Sequence, residues 1–181
     1  VRCEEDIAFG SLPNIFLTSA AHLYEIELSN LFQKIGLSPI MFTKSDRPDM
    51  IIFPDRKESN FMDFLHNDEQ KILVETTSAD VLSLTKIRED LKNFNKHTTK
   101  VLKIKSNRTL IVGNKIANNI EKNVSLLLDQ YHPFTIITFG NLKYIEDWVR
   151  KNEKINWEYI GKILTYDGVV SKELIDSIFR N

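Results

Sequence analysis

Cysteine is almost missing from this chain: Cys3 is the only one in 181 residues. A single thiol can neither close an internal disulfide nor build a cysteine-based zinc site, so the fold must rest on its core. Glycine and proline are sparse as well, at six and five. Neither a Walker loop nor a glycine-rich dinucleotide fingerprint occurs, which leaves the turns between strands and helices without the usual phosphate cradle. The four histidines (His22, His66, His97 and His132) show no paired-ligand spacing, and there is no Gly-x-Ser-x-Gly elbow. Zinc proteases and serine hydrolases drop out on those grounds. No apolar run approaches the roughly 18 residues of a membrane span, and the N-terminus lacks a basic region followed by an apolar one. A soluble protein without membrane partners is expected.

What is present is ordinary in bulk and uneven in order. Hydrophobic residues make up 42% and charged residues 27% of a chain with net charge -1. That composition and length suit one globular domain over 1–181, with its core at about 20–150 and a helical extension at 155–181. The near-zero charge conceals two opposed blocks. Residues 1–80 carry seven basic and fourteen acidic side chains, whereas residues 81–122 carry ten and three. Carboxylates to hold cations beside lysines to hold phosphates suit an enzyme acting on a polyanion; two solvated faces are the plainer account of the same pattern.

Hydrophobic periodicity orders the elements. Leu28, Leu31, Phe32 and Ile35 recur at helical spacing before Gly36, a stop signal. Ile40–Phe42 and Met50–Phe53, split by a turn-like polar stretch, read as a hairpin, and 71–77 reads as the next strand. Leu84, Ile87, Leu91 and Phe94 then mark a helix starting near Ser83. Beyond it, strands at 109–112 and 134–139 alternate with helices at 117–128 and 142–149, the last with Asn141 as N-cap. The tail at 157–179 reads as one or two helices broken near Asp167 and Gly168. The expectation is an α/β sandwich whose sheet begins antiparallel and ends parallel.

The chemistry left by elimination is acidic. Asp49 opens one strand, and Glu75 lies on the next, sharing a face with Thr77 by the period of two. Such a carboxylate cluster outlines a magnesium site, since Mg²⁺ takes a few oxygen ligands and keeps waters for hydrolysis of a phosphodiester. On the first helix Glu25 lies at the edge of the apolar face. On the central helix Asp90, Lys86, Asn93 and His97 fall along one flank, and Glu89 lies almost opposite the apolar stripe.

The run Arg47, Pro48, Asp49, Met50, Ile51, Ile52, the run Val74 to Ser78 around Glu75, and Asp90 ahead of Lys96 and His97 resemble the PD-(D/E)xK nuclease superfamily. More narrowly they are similar to the C-terminal cleavage domain of AlwI-type type IIS restriction and nicking endonucleases, over about residues 20–150. The resemblance implies a restriction-endonuclease-like three-layer α/β/α sandwich with a central mixed sheet. It implies a Mg²⁺-dependent endonuclease, with Mn²⁺ able to substitute, of a prokaryotic restriction-modification system in the cytoplasm. Asp49 and Glu75 would be the central metal ligands, Glu25 an outer ligand, and Asp90 or its neighbour Glu89 the acid that completes the site. Thr77 stands where the superfamily has lysine, so Lys96 or a metal would supply the charge. Lys86, Arg88, Lys92, Lys96, Lys100, Lys103 and Lys105 would contact the phosphates of double-stranded DNA. Recognition would belong to an N-terminal domain or separate subunit, and double-strand cleavage to a homo- or heterodimer. The alternatives are a small repair or recombination nuclease and a non-catalytic DNA-binding or dimerisation module of the same fold.

Overall fold

A computed structural model describes residues 20–42, 48–54, 71–97, 108–152 and 157–180. The elements run α1 (Ala20–Lys34), β1 (Leu37–Met41), β2 (Met50–Pro54), β3 (Ile72–Thr76), α2 (Leu84–Asn95), β4 (Thr109–Gly113), α3 (Asn119–Gln130), β5 (Phe134–Thr138), α4 (Phe139–Lys151), α5 (Trp157–Leu164), β6 (Gly168–Val169) and α6 (Lys172–Arg180). The class is α/β, with a six-stranded mixed sheet in the order β1-β2-β3-β4-β5-β6. Among the described residues no helix is long and apolar enough to cross a membrane.

β1 and β2 form the expected hairpin, Leu37 opposite Pro54 and Met41 opposite Met50. β3 is the hinge of the sheet. It pairs antiparallel with β2, Met50 opposite Val74, and parallel with β4, Glu75 beside Ile111. β5 and β6 continue the parallel half. The hairpin needs no crossover, whereas each parallel step does: α2 lies between β3 and β4, α3 between β4 and β5, and α4 and α5 between β5 and β6.

Alternate strand residues feed two cores, as a period of two requires. Met50, Ile52, Ile72, Val74, Leu110 and Val112 join side chains of α1, α4, α5 and α6 in one. Ile111, Phe134 and Ile136 join Leu82, Ile87 and Leu91 of the α2 segment and Ile120 and Leu127 of α3 in the other. Leu28, Phe32 and Ile35, picked out by periodicity, are fully buried, as are Ile87, Leu110 and Ile137.

Three details differ from the sequence reading. β1 begins at Leu37 rather than Ile40, because its pairing with β2 extends through Pro39, whose missing N–H an edge strand tolerates. The α4 cap is Thr138, not Asn141: the Thr138 hydroxyl accepts from the Asn141 backbone N–H at 3.1 Å, so the helix starts three residues earlier than Leu142. The break near Asp167 and Gly168 is a short strand, not a plain interruption. Gly168 enters it at φ 112°, a conformation glycine adopts without strain, and Val124 Cγ1 lies 2.9 Å from where a Cβ would stand.

Candidate functional site

Antiparallel pairing of β2 with β3 puts the start of one strand beside the end of the other. Asp49 immediately precedes Met50, which faces Val74, so Asp49 arrives next to Glu75 and Thr76. Its Oδ2 accepts two hydrogen bonds from Thr76, from the backbone N–H at 2.6 Å and from Oγ1 at 2.8 Å. The carboxylate is thereby fixed at the point where the sheet changes from antiparallel to parallel.

Glu75 is buried and faces α2. Nδ1 of His97, just past the end of that helix, donates to its Oε1 at 2.9 Å, both side chains being more than nine-tenths enclosed. Burial raises the Glu75 pKa; the His97 hydrogen bond opposes the rise and the neighbouring Asp49 charge adds to it. Asp90 completes the group from the middle of α2, with only 4% of its surface exposed. Its Oδ1 takes the Lys86 ammonium at 2.6 Å, one helical turn back, while Oδ2 is buried with no hydrogen-bond partner. Burial lifts the Asp90 carboxyl to about 7; Lys86 pulls against that shift, and Glu75 and Asp49 reinforce it. For Lys86 burial disfavours the ammonium, but Asp90, Glu75 and Asp49 together outweigh it and leave the pKa above the usual lysine value. Asp49, Glu75 and Asp90 thus feel one another's charge, with Lys86 among them.

The other expected residues lie around this centre in different ways. Glu25, on α1, is raised chiefly by burial and then by Asp49, and its Oε2 lies 3.3 Å from Nδ1 of His22; no hydrogen bond joins it to the other acids. Of the two neighbouring acids on α2, Glu89 is exposed and Asp90 buried, so Asp90 is the one that reaches Glu75 and Asp49. Thr77 continues the ladder through its N–H to Val112 O, and its hydroxyl accepts from the Ala79 N–H at 3.3 Å, which commits it to the turn after β3. Lys96 is exposed and makes no ion pair with these acids; the ammonium among them comes from Lys86. Lys92 is exposed and Arg88 half-buried on the same helix. Lys100, Lys103, Lys105 and the 55–70 insertion lie outside the described residues. His132, read as structural, bonds Thr109 Oγ1 at 2.8 Å and stacks on Phe94, and burial, helped by Arg108, lowers its pKa to about 4.

Two contributors escaped the sequence reading. Thr76 has the opposite parity to Glu75, and the alternation argument pointed to Thr77 instead. Lys86 was placed among phosphate contacts, although its i, i+4 spacing to Asp90 already marks an ion pair on one helix face. The hydrogen bonds found take one oxygen from each of Asp49, Glu75 and Asp90. Among the described residues no three His, Cys, Asp or Glu side chains are drawn together closely enough to hold a metal ion as they stand. The chemistry of the donor set nevertheless suits a hard divalent cation: three carboxylates, two of them buried, and one orphaned carboxylate oxygen. Compared with protein families, curated proteins and solved structures, the chain matches none.

Proposed function

We propose that this chain is a metal-dependent endonuclease domain that hydrolyses DNA phosphodiester bonds, built as a restriction-endonuclease-like three-layer α/β/α sandwich of the PD-(D/E)xK type. One observation carries the reading: Asp49, Glu75 and Asp90 converge where β2, β3 and α2 meet, and a buried Asp90 oxygen is left without a partner. A buried carboxyl oxygen with no protein donor costs stability in the protein alone and is open to a ligand. The two cores, fed by alternate strand residues, are what the layered arrangement requires.

Asp49, Glu75 and Asp90 would hold Mg²⁺ or Mn²⁺, with Glu25 as an outer acid. A bound cation supplies Lewis-acid polarisation of the phosphate and a water acidic enough to attack it. The chain's own groups do the rest. Thr76 fixes the Asp49 carboxylate, and His97 fixes Glu75 so that its other oxygen is aimed by a buried hydrogen bond. Lys86 offers a positive charge beside the acids, and Arg88, Lys92 and Lys96, on another face of the same segment, would contact the phosphate backbone. Backbone contacts of this kind position the duplex without reading its sequence, which leaves recognition to another domain or subunit.

A second reading draws on one observation. The Lys86–Asp90 and His97–Glu75 pairs form hydrogen bonds within the protein that need no metal, as in a non-catalytic DNA-binding or dimerisation module. Cleavage of supercoiled plasmid separates the two. The purified chain should nick it with Mg²⁺ or Mn²⁺, not with EDTA, and Asp49→Asn and Glu75→Gln should each abolish nicking while remaining folded. No nicking together with no calorimetric metal binding would refute the nuclease reading and leave the binding module.

A further inference from the structure

Arg108 ties the turn before β6 to the sheet. Its Nη1 lies 2.7 Å from Asp167 Oδ1 and donates to Thr135 Oγ1 at 3.4 Å. The buried Thr135 hydroxyl in turn lies 2.7 Å from the Tyr166 carbonyl oxygen and 2.9 Å from that of Leu164, so β5 grips the same turn. Gly168 then pairs beside Thr135, and Val169 beside Ile136. The Arg108 side chain is 15% exposed and that of Asp167 56%, which puts the carboxylate of this pair in contact with water.

Asp167 and Gly168 make the one Asp–Gly step in the sequence, and no Asn–Gly step occurs. That step carries its own chemistry. An aspartyl carboxyl carbon can close a five-membered ring on the amide nitrogen of the next residue, and glycine, having no Cβ, leaves that nitrogen unshielded. With the carboxyl protonated, the Gly168 nitrogen attacks Asp167 Cγ, the N–Cγ bond forms, and the carboxyl OH leaves with the amide proton as water. Water then opens the succinimide. Cleavage of the bond from the nitrogen to the former main-chain carbonyl carbon gives isoaspartate, with the chain now running through Cβ and Cγ. In the native fold both reactants are engaged, the carboxylate by Arg108 and Gly168 by its place in the sheet. Independently of the nuclease reading, we propose that Asp167 is a site of spontaneous isomerisation and that Arg108 sets its rate. Attack requires the carboxyl to leave Arg108 and β6 to lift from β5. Isoaspartate adds one carbon to the main chain between Asp167 and Gly168, so the register that seats Asp167 on Arg108 and Gly168 beside Thr135 is lost. Lys172 opens α6 four residues after Gly168, and Ile175 of that helix is fully buried, so the change reaches the core.

The test is prolonged incubation of the full chain, Arg108→Gln and Asp167→Glu at neutral pH, with the parent also held unfolded in urea. Peptide mass spectrometry with electron-transfer fragmentation distinguishes isoaspartate from aspartate at residue 167, and thermal melts confirm folding at the start. Isoaspartate should accumulate slowly in the folded parent and fastest in the unfolded one. Folded Arg108→Gln should form it about two- to fivefold faster than the folded parent, the factor that an ion pair with one exposed partner is worth. Asp167→Glu should form none, because its longer side chain cannot close the five-membered ring. Should Arg108→Gln fail to fold, the folded parent at raised salt takes its place, since screening weakens the same pair and should speed the reaction. No isoaspartate at residue 167 even in urea would overturn the site. Equal rates in folded parent and folded Arg108→Gln, or in the parent at low and raised salt, would overturn the control by Arg108.

Discussion

Replacing Asp90 by asparagine should stabilise the metal-free protein, and by an amount that depends on pH. The carboxyl moves from 3.8 to about 7 on folding, chiefly through burial. Between those values the folded chain holds a proton that the unfolded chain has released, so stability falls as pH rises through that window and levels off above it. At about 1.4 kcal/mol per pKa unit the full penalty is at most about 4 kcal/mol. Asparagine carries no charge and keeps nearly the same shape, so it avoids the penalty at every pH. Lys86 loses its carboxylate in exchange, but its side chain is 37% exposed and can turn to water, so that loss is small. A net gain of about 1–3 kcal/mol remains, equivalent to a rise in Tm of about 3–8 °C for a domain of this size. Thermal unfolding monitored by circular dichroism at pH 5 and pH 8, in EDTA, measures it: the gap between variant and parent should be small at pH 5 and wide at pH 8. On the proposed metal-dependent reading, added Mg²⁺ should narrow the gap at pH 8 by binding the parent's carboxylate. An Asp90→Asn variant that melts at or below the parent at pH 8, or a gap equal at both pH values, would refute the reasoning.

Thr76→Val removes the Oγ1 bond to Asp49 but leaves the N–H bond, and should cost about 1–2 kcal/mol in urea denaturation and weaken Mn²⁺ binding, with Thr76→Ser restoring both. Gly168→Ala forces a Cβ onto a φ of 112° and within 2.9 Å of Val124, and should destabilise by about 1–3 kcal/mol in the same assay, whereas Gly140→Ala, whose nearest neighbour would be 3.9 Å away, should change stability little.

The elements were legible where burial imposes a period. Leu28, Phe32 and Ile35, or Ile87, Leu91 and Phe94, face a core and repeat accordingly. The hairpin followed from the turn-like polar stretch between β1 and β2, and the switch to parallel pairing from the helix that joins β3 to β4. β6 was not legible, because two residues carry no alternation and its place at the edge depends on α3 lying beneath Gly168. At the site, Asp49 and Glu75 were readable as strand-end acids, and Asp90 as a flank residue of a helix. The bonds that fix them were not. Thr76 reaches Asp49 from the parity that a strand rule assigns to the other face, and it can do so because Asp49 lies outside the ladder. His97 reaches Glu75 across two elements, and no local spacing encodes that distance.

The position of β3 has a consequence for the order in which the chain can assemble. The β1–β2 hairpin is local, and adding β3 to it completes an antiparallel unit before any crossover is made. That unit sets Asp49 beside Glu75, while His97, which bonds Glu75, and the Lys86 ammonium are on a segment synthesised afterwards. Until α2 docks, the growing edge of the sheet carries adjacent carboxylates screened only by water, salt ions and the Thr76 donors to Asp49. Docking of α2 covers β3 with Ile87 and Leu91 and brings in Lys86 and His97 in the same step. Closure of β3–α2–β4 is therefore the step that ionic strength should hasten, as screening relieves the repulsion that delays it. The acids at this sheet edge therefore acquire their partners only when the helix after β3 closes over it.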